Sequence, residues 1–231
     1  MATADIEPDT VLFSIPRSAI LGTATSELAT RIPSIFEDLE PAGGDVDGET
    51  ETQSHDSWTS LILVLIYEYL QGEKSRWKPY LDVLPAEFST LMFWTAEELS
   101  HLQASSVVPR VGKAEADRMI QTKILPAIHH HGPVFYPEGK APLGEEDLVA
   151  LAHRMGSIIM AYAFNLEKDD DDDADEQDGW VEDNEGRIEM GMVPMADILN
   201  ADAQFNVRSA APSLQRAADT CRHISTTTRT A

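Results

Sequence analysis

The sequence predicts an α+β fold dominated by helices, and three observations carry that expectation. Val11-Leu12-Phe13-Ser14-Ile15 is a β-type run closed by Pro16. Residues 58–70 and 145–165 carry apolar side chains at helical spacing over several turns. Residues 167–187 are mostly Asp and Glu, and they divide that helical middle from a second short apolar piece at 192–200.

Each element follows from local chemistry. After the first strand, residues 40–56 are rich in Gly, Asp, Glu and Thr and read as a flexible loop. Residues 58–70 are apolar around most of a helical circumference, which predicts a helix buried on nearly all sides, capped by Asp56 or Ser57 and ended by Gly72. Trp77-Lys78-Pro79-Tyr80 opens a stretch too interrupted by proline for a long helix. Thr95 and Glu98 have capping-box spacing and start a helix toward Gln103. Met119, Ile120, Ile124 and Ile128 extend a helical pattern that Pro126 should kink or break. In 145–165 three acids sit in the first turn, where the helix dipole favours them, and Leu148, Leu151, Ala152, Met155, Ile159 and Tyr162 make one stripe. Asp169 to Asp173 are five consecutive aspartates, a self-repelling run expected to be disordered. After Arg208 the texture turns to Ser, Thr, Ala and Arg without a clear period.

Charge and cysteine content exclude several function classes. The formal net charge of −23 argues against a direct nucleic-acid partner, because backbone phosphates need a positive surface, and favours a basic protein partner. A single cysteine, Cys221, excludes an internal disulfide framework and a Cys-rich zinc site. The longest apolar run falls far short of the roughly 20 residues a membrane span needs, and the first residues are acidic where a secretory signal is basic, so a soluble intracellular protein is expected. His129-His130-His131 invites a metal reading, but consecutive helical residues splay by about 100° and cannot converge on one ion. The Asp run lacks the spaced ligands and glycine of a calcium loop.

Four separated segments together resemble one family. They are Leu12-Phe13-Ser14-Ile15-Pro16-Arg17; Trp77-Lys78-Pro79-Tyr80-Leu81 with Leu84-Pro85, Phe93-Trp94, Glu98-Leu99 and Leu102; Met160-Ala161-Tyr162-Ala163-Phe164; and Val193-Pro194-Met195-Ala196-Asp197-Ile198-Leu199-Asn200. In this order they are similar to SET-domain protein-lysine methyltransferases of the Rubisco large-subunit methyltransferase group, and the acidic interruption resembles its fungal ribosomal-lysine branch. The resemblance implies a partial SET domain over 1–208, with a helical insert at 17–165, an acidic disordered loop at 166–190 and a cofactor-motif segment at 191–208. Residues 209–231 would be a tail outside the family pattern and without order.

The resemblance also implies a cofactor, S-adenosylmethionine, and a basic protein substrate, a large-subunit ribosomal protein in the ribosomal branch, with residence in nucleus or cytoplasm. Asn200 would hydrogen-bond the cofactor. Ala201 stands where the family usually has His, so part of that contact must come from backbone. Tyr162 would pack near the cofactor, Asp197 would brace the loop, and Trp58 would contact the substrate. Methyl transfer is a direct displacement by a neutral lysine amine. An exposed lysine has a pKa of about 10.4, so an apolar channel must favour the uncharged form and hold the reactants in line. On the residues alone, Tyr162 is equally a core tyrosine closing a stripe, Asp197 and Asn200 can turn or cap the chain, and Trp58 can be a core anchor.

The family pattern has a Gly-rich turn before the first strand, and later strands with a channel tyrosine. No tyrosine follows Tyr162 here, so the chain is expected to lack both ends of the catalytic domain and the catalytic tyrosine. Transfer by this chain alone is then expected to be very slow or absent, and an altered reading of the C-terminal coding region would account for the tail. The rival expectation is a non-catalytic interaction module that binds a basic partner through the acidic loop.

Overall fold

The computed structural model describes residues 10–36, 49–103, 105–167, 188–198, 207–210 and 221–226. Strand β1 (Val11–Pro16) leads through a 3-10 turn at Arg17–Ala19 to α1 (Glu27–Arg31). The Ser26 side chain caps α1 by accepting from the Leu28 N–H.

Helix α2 (Glu49–Gln71) is the centre of the molecule. From Leu61 to Tyr67 every residue is buried, as the apolar circumference predicts. The helix begins well before residue 58, which corrects the reading of 40–56 as loop throughout and of Asp56 or Ser57 as its cap. Its opening turns are polar in sequence and show no apolar period, but a helix nucleated by a buried half extends at little cost. Gly72 ends it in the left-handed region at φ 57°, where a side chain would be strained. Lys140 Nζ donates to the terminal carbonyl of Leu70 at 2.9 Å.

Short helices wrap this axis: α3 (Lys78–Leu81), α4 (Ala96–Ser100), α5 (Val107–Arg110), α6 (Lys113–Met119), α7 (Leu125–His130) and α8 (Gly132–Phe135). The capping box forms as its spacing predicts, with the Thr95 hydroxyl accepting from Glu98 N–H and the Glu98 carboxylate accepting from Thr95 N–H. Pro126 does not break its helix. A π-helical stretch at Ile120–Ile124 precedes it, where Leu125 N–H bonds to the Ile120 carbonyl, and this wider turn absorbs the bond that proline cannot make.

Helix α9 (Glu145–Tyr162) packs along α2 and buries the predicted stripe except for Tyr162, which is half-buried. It stops at Tyr162 rather than 165, because Ala163–Glu167 is strand β2, paired antiparallel with β3 (Ile188–Met192). Cross-strand pairing there outweighs the helical period. Leu21 extends this ladder through reciprocal backbone bonds with Met192 at 2.9 and 2.8 Å.

A second sheet has the order β1, β5 (Cys221–Thr226), β4 (Val207–Ala210), all antiparallel. The expectation of a tail without order is therefore corrected for Cys221–Thr226. The β1 edge carries N–H and C=O groups that need partners, and a segment with no hydrophobic period can still supply backbone to such an edge. The acidic run at 168–187 lies outside the described residues.

Candidate functional site

The β2–β3 ladder builds the candidate site. Ala163 lies opposite Met192 and Phe164 opposite Gly191, so the segment ending in Tyr162 and the segment starting at Val193 meet although the whole acidic run separates them in sequence. Close approach here depends on Gly191: a Cβ on it would stand 2.6 Å from Leu166 Cδ1 and 3.2 Å from Ile20 Cγ2.

Beyond β3 the chain makes a tight turn. Val193 and Ala196 are buried with Ile15 and Ile20 in a small cluster against Phe164 and Leu166. Between them Met195 is exposed and sits at φ 76°, a left-handed conformation that costs a non-glycine residue about 1–3 kcal/mol. Ala196 N–H bonds back to the Val193 carbonyl at 3.1 Å, and a 3-10 turn follows at Ala196–Ile198.

Asp197, half-buried in that turn, accepts a hydrogen bond at Oδ2 from the Tyr80 hydroxyl, 2.7 Å away. Burial pushes the Tyr80 pKa well above its ordinary value, and the Asp197 hydrogen bond and charge push it further, so the phenol keeps its proton and acts as donor. Tyr80 comes from α3, which is itself tied down. The Trp77 indole N–H donates to the Ala19 carbonyl at 3.2 Å, and the Arg76 guanidinium lies 3.9 Å over the Trp77 ring while its Nη2 donates to Thr25.

An apolar recess of about 470 Å³ lies where α9, α2 and the 88–92 segment meet. Trp58, Met92, Ile120, Gly156, Met160 and Ala161 are among its walls, so it reaches the helix end that carries Tyr162. The Trp58 indole N–H is buried without a hydrogen-bond partner. Its ring edge lies against α9 only because residue 156 is glycine, since a Cβ there would stand 2.9 Å from Trp58 Cζ2. Gly156→Ala is therefore expected to displace a rigid ring and cost about 1–3 kcal/mol. A urea titration would read that loss, and an unchanged midpoint would show that the ring swings aside freely. On the same wall His153, buried on α9, meets Asp117 Oδ1 at 2.6 Å and pins α6 to α9.

Three of the residues expected in the site are described. Tyr162 is half-buried against the main core, Asp197 is half-buried in the turn, and Trp58 packs on the core while lining the recess. Tyr162 and Asp197 flank one junction, and Trp58 reaches it only through the recess wall at Met160 and Ala161. Asn200 and Ala201 lie outside the described residues. Sequence reasoning gave Tyr80 no role beyond membership of a signature, because no spacing rule links residues 117 positions apart. No periodic signal in the sequence marks His153 out.

No family model matches the chain. It is 35% identical to ribosomal lysine N-methyltransferase 4 of Saccharomyces cerevisiae over 208 residues, covering 87% of this chain and 38% of the yeast protein. It is 32% identical to N-lysine methyltransferase setd6 of Danio rerio over 212 residues, covering 89% of this chain and 40% of the fish protein. With N-lysine methyltransferase SETD6 of Homo sapiens the identity is 28%, covering 98% of this chain and 41% of the human protein. Over most of its own length this mixed helix-and-sheet chain is therefore similar to proteins named as lysine N-methyltransferases. The chain spans about two fifths of the length of the curated relatives it matches.

Proposed function

We propose that this chain forms the cofactor-binding part of an S-adenosylmethionine-dependent protein-lysine N-methyltransferase that acts on a basic protein of the large ribosomal subunit. The junction of Tyr162 with the 193–198 turn across the β2–β3 ladder is the observation that carries the reading. The residues present suit the cofactor: an aromatic ring at Tyr162, exposed apolar side chains at Met195 and Ile198, and a half-buried carboxylate at Asp197 that would brace the turn. When bound, S-adenosylmethionine supplies an electrophilic methyl group. Tyr162 packs against it, Asp197 braces the turn, Asn200 supplies a side-chain hydrogen bond, and Ala201 contributes backbone alone. Trp58, at the recess joined to this junction, contacts the substrate polypeptide. The name of the yeast relative and the charge of −23 support a basic ribosomal substrate.

Calorimetric titration of S-adenosylmethionine into the chain tests the cofactor reading, with Asn200→Ala as the comparison. Saturable heat is expected, and the variant should bind at least about tenfold more weakly, the effect of one lost hydrogen bond to a polar ligand. No heat from a folded sample would remove the reading.

A further inference from the structure

We propose that Tyr80 is a positioning residue for the cofactor: by holding Asp197, its hydroxyl fixes the turn at 193–198 from which the Asn200 segment departs. The inference rests on the cofactor reading above and adds a residue to it. The turn has two buried anchors, Val193 and Ala196, and both lie on its inner side. Its outer side carries Met195 in a left-handed conformation and Ile198 largely exposed, so among the described residues packing alone does not restrain that side of the turn. The Tyr80–Asp197 bond is the polar contact that crosses from the helical middle to this outer side. A strained residue persists only where its surroundings over-determine it, and this bond closes the turn immediately after the strain.

The support behind Tyr80 is stiff. Pro79 presets the start of α3, Leu81 is buried, and Trp77 is fixed by its hydrogen bond to Ala19 and by the Arg76 stack. Trp77-Lys78-Pro79-Tyr80 thus serves as a strut whose free end is the phenol. A tyrosine required only for packing would leave its hydroxyl to solvent or to a neighbouring carbonyl. Here it reaches a carboxylate 117 residues away, on the one turn that bears the cofactor motif.

Tyr80→Phe removes the hydroxyl and keeps the ring. Calorimetry with S-adenosylmethionine should show affinity lowered by about tenfold to a hundredfold, the range for a lost hydrogen bond to a charged group. Asp197→Ala, which removes the acceptor, should weaken binding similarly, and the double variant should be no weaker than the worse single one, because both changes break one contact. Additive losses, or unchanged affinity in Tyr80→Phe, overturn the positioning role. Amide exchange of residues 193–198, followed without cofactor, reads the hold directly. Exchange should be at least about tenfold faster in Tyr80→Phe while α2 amides keep their protection, since a local opening costs less than global unfolding. Equal exchange in variant and parent overturns the proposal. If the unaltered chain gives no heat with cofactor yet the exchange difference stands, the cofactor reading fails and the hold of Tyr80 on the turn survives.

Discussion

Phe135→Ala is expected to lower the unfolding free energy by about 3–5 kcal/mol, the range for removing a buried aromatic ring. Phe135 is fully buried at the end of α8 and meets Tyr67 of α2 edge-on, with ring centroids 5.9 Å apart at 87°. The cavity has little means of closing. The Gln71 side-chain amide donates to the Val134 and Phe135 carbonyls at 3.2 and 3.1 Å, so α8 is held at its distance from α2 by polar contacts that survive the substitution. Phe135→Leu keeps most of the volume and should cost under about 1.5 kcal/mol. Urea titration followed by circular dichroism measures both. A loss below about 1 kcal/mol for the alanine variant would mean that α8 collapses onto α2.

Glu68→Ala is expected to cost about 3 kcal/mol, although Glu68 sits in the buried half of α2 and its loss removes a charge from the core. Glu68 is 3% exposed, and each carboxylate oxygen accepts one serine hydroxyl at 2.6 Å: Ser26 at Oε1 and Ser75 at Oε2. Both serines are used twice. The Ser26 oxygen accepts the Leu28 N–H at the start of α1, and the Ser75 oxygen accepts the Trp77 N–H at the approach to α3. Removing the carboxylate strands two buried hydroxyls and loosens the entries to two helices at once. Glu68→Gln can accept from one serine and donate to the other, so it should recover about half the loss, the charge-assisted share remaining absent. If glutamine proves as costly as alanine, the charge rather than the hydrogen-bond geometry matters; if alanine is neutral, the network does not hold the fold. The consequence reaches the candidate site, because Ser75 and Trp77 support the segment that carries Tyr80.

The readable parts of the molecule were those whose signal is local. The buried stretch of α2, the capping box at Thr95 and Glu98, and the stripe of α9 each repeat within a few residues, so a single helix reveals them. The α2 extension to Glu49 was not legible, since its opening turns are polar and a helix borrowed from its neighbour leaves no apolar mark. The end of α9 was misplaced by three residues because Ala163–Asn165 fit either period, and the partner that decides between them, β3, lies beyond the acidic run. Pro126 was read as a kink or a break because sequence shows the missing N–H and hides the π turn that absorbs it. Strand Cys221–Thr226 was missed for the same reason as β2: its evidence is an edge on β1, more than two hundred residues earlier.

In the candidate site the same division holds. Four ordered motifs in the sequence pointed to the family, and relatives that are lysine methyltransferases agree with it. The ordered motifs carried the resemblance to that family, while residue types alone determined the acidic character of the chain and the helices of its core, because these follow from side-chain chemistry and short-range period. Only the tertiary structure decided that Tyr162 and the 193–198 turn share one junction, that Trp58 owes its place to the missing side chain of Gly156, and that Tyr80 reaches Asp197. Each of these is a contact between segments far apart in the chain, set by strand register and close packing, and neither leaves a periodic trace in the order of residues.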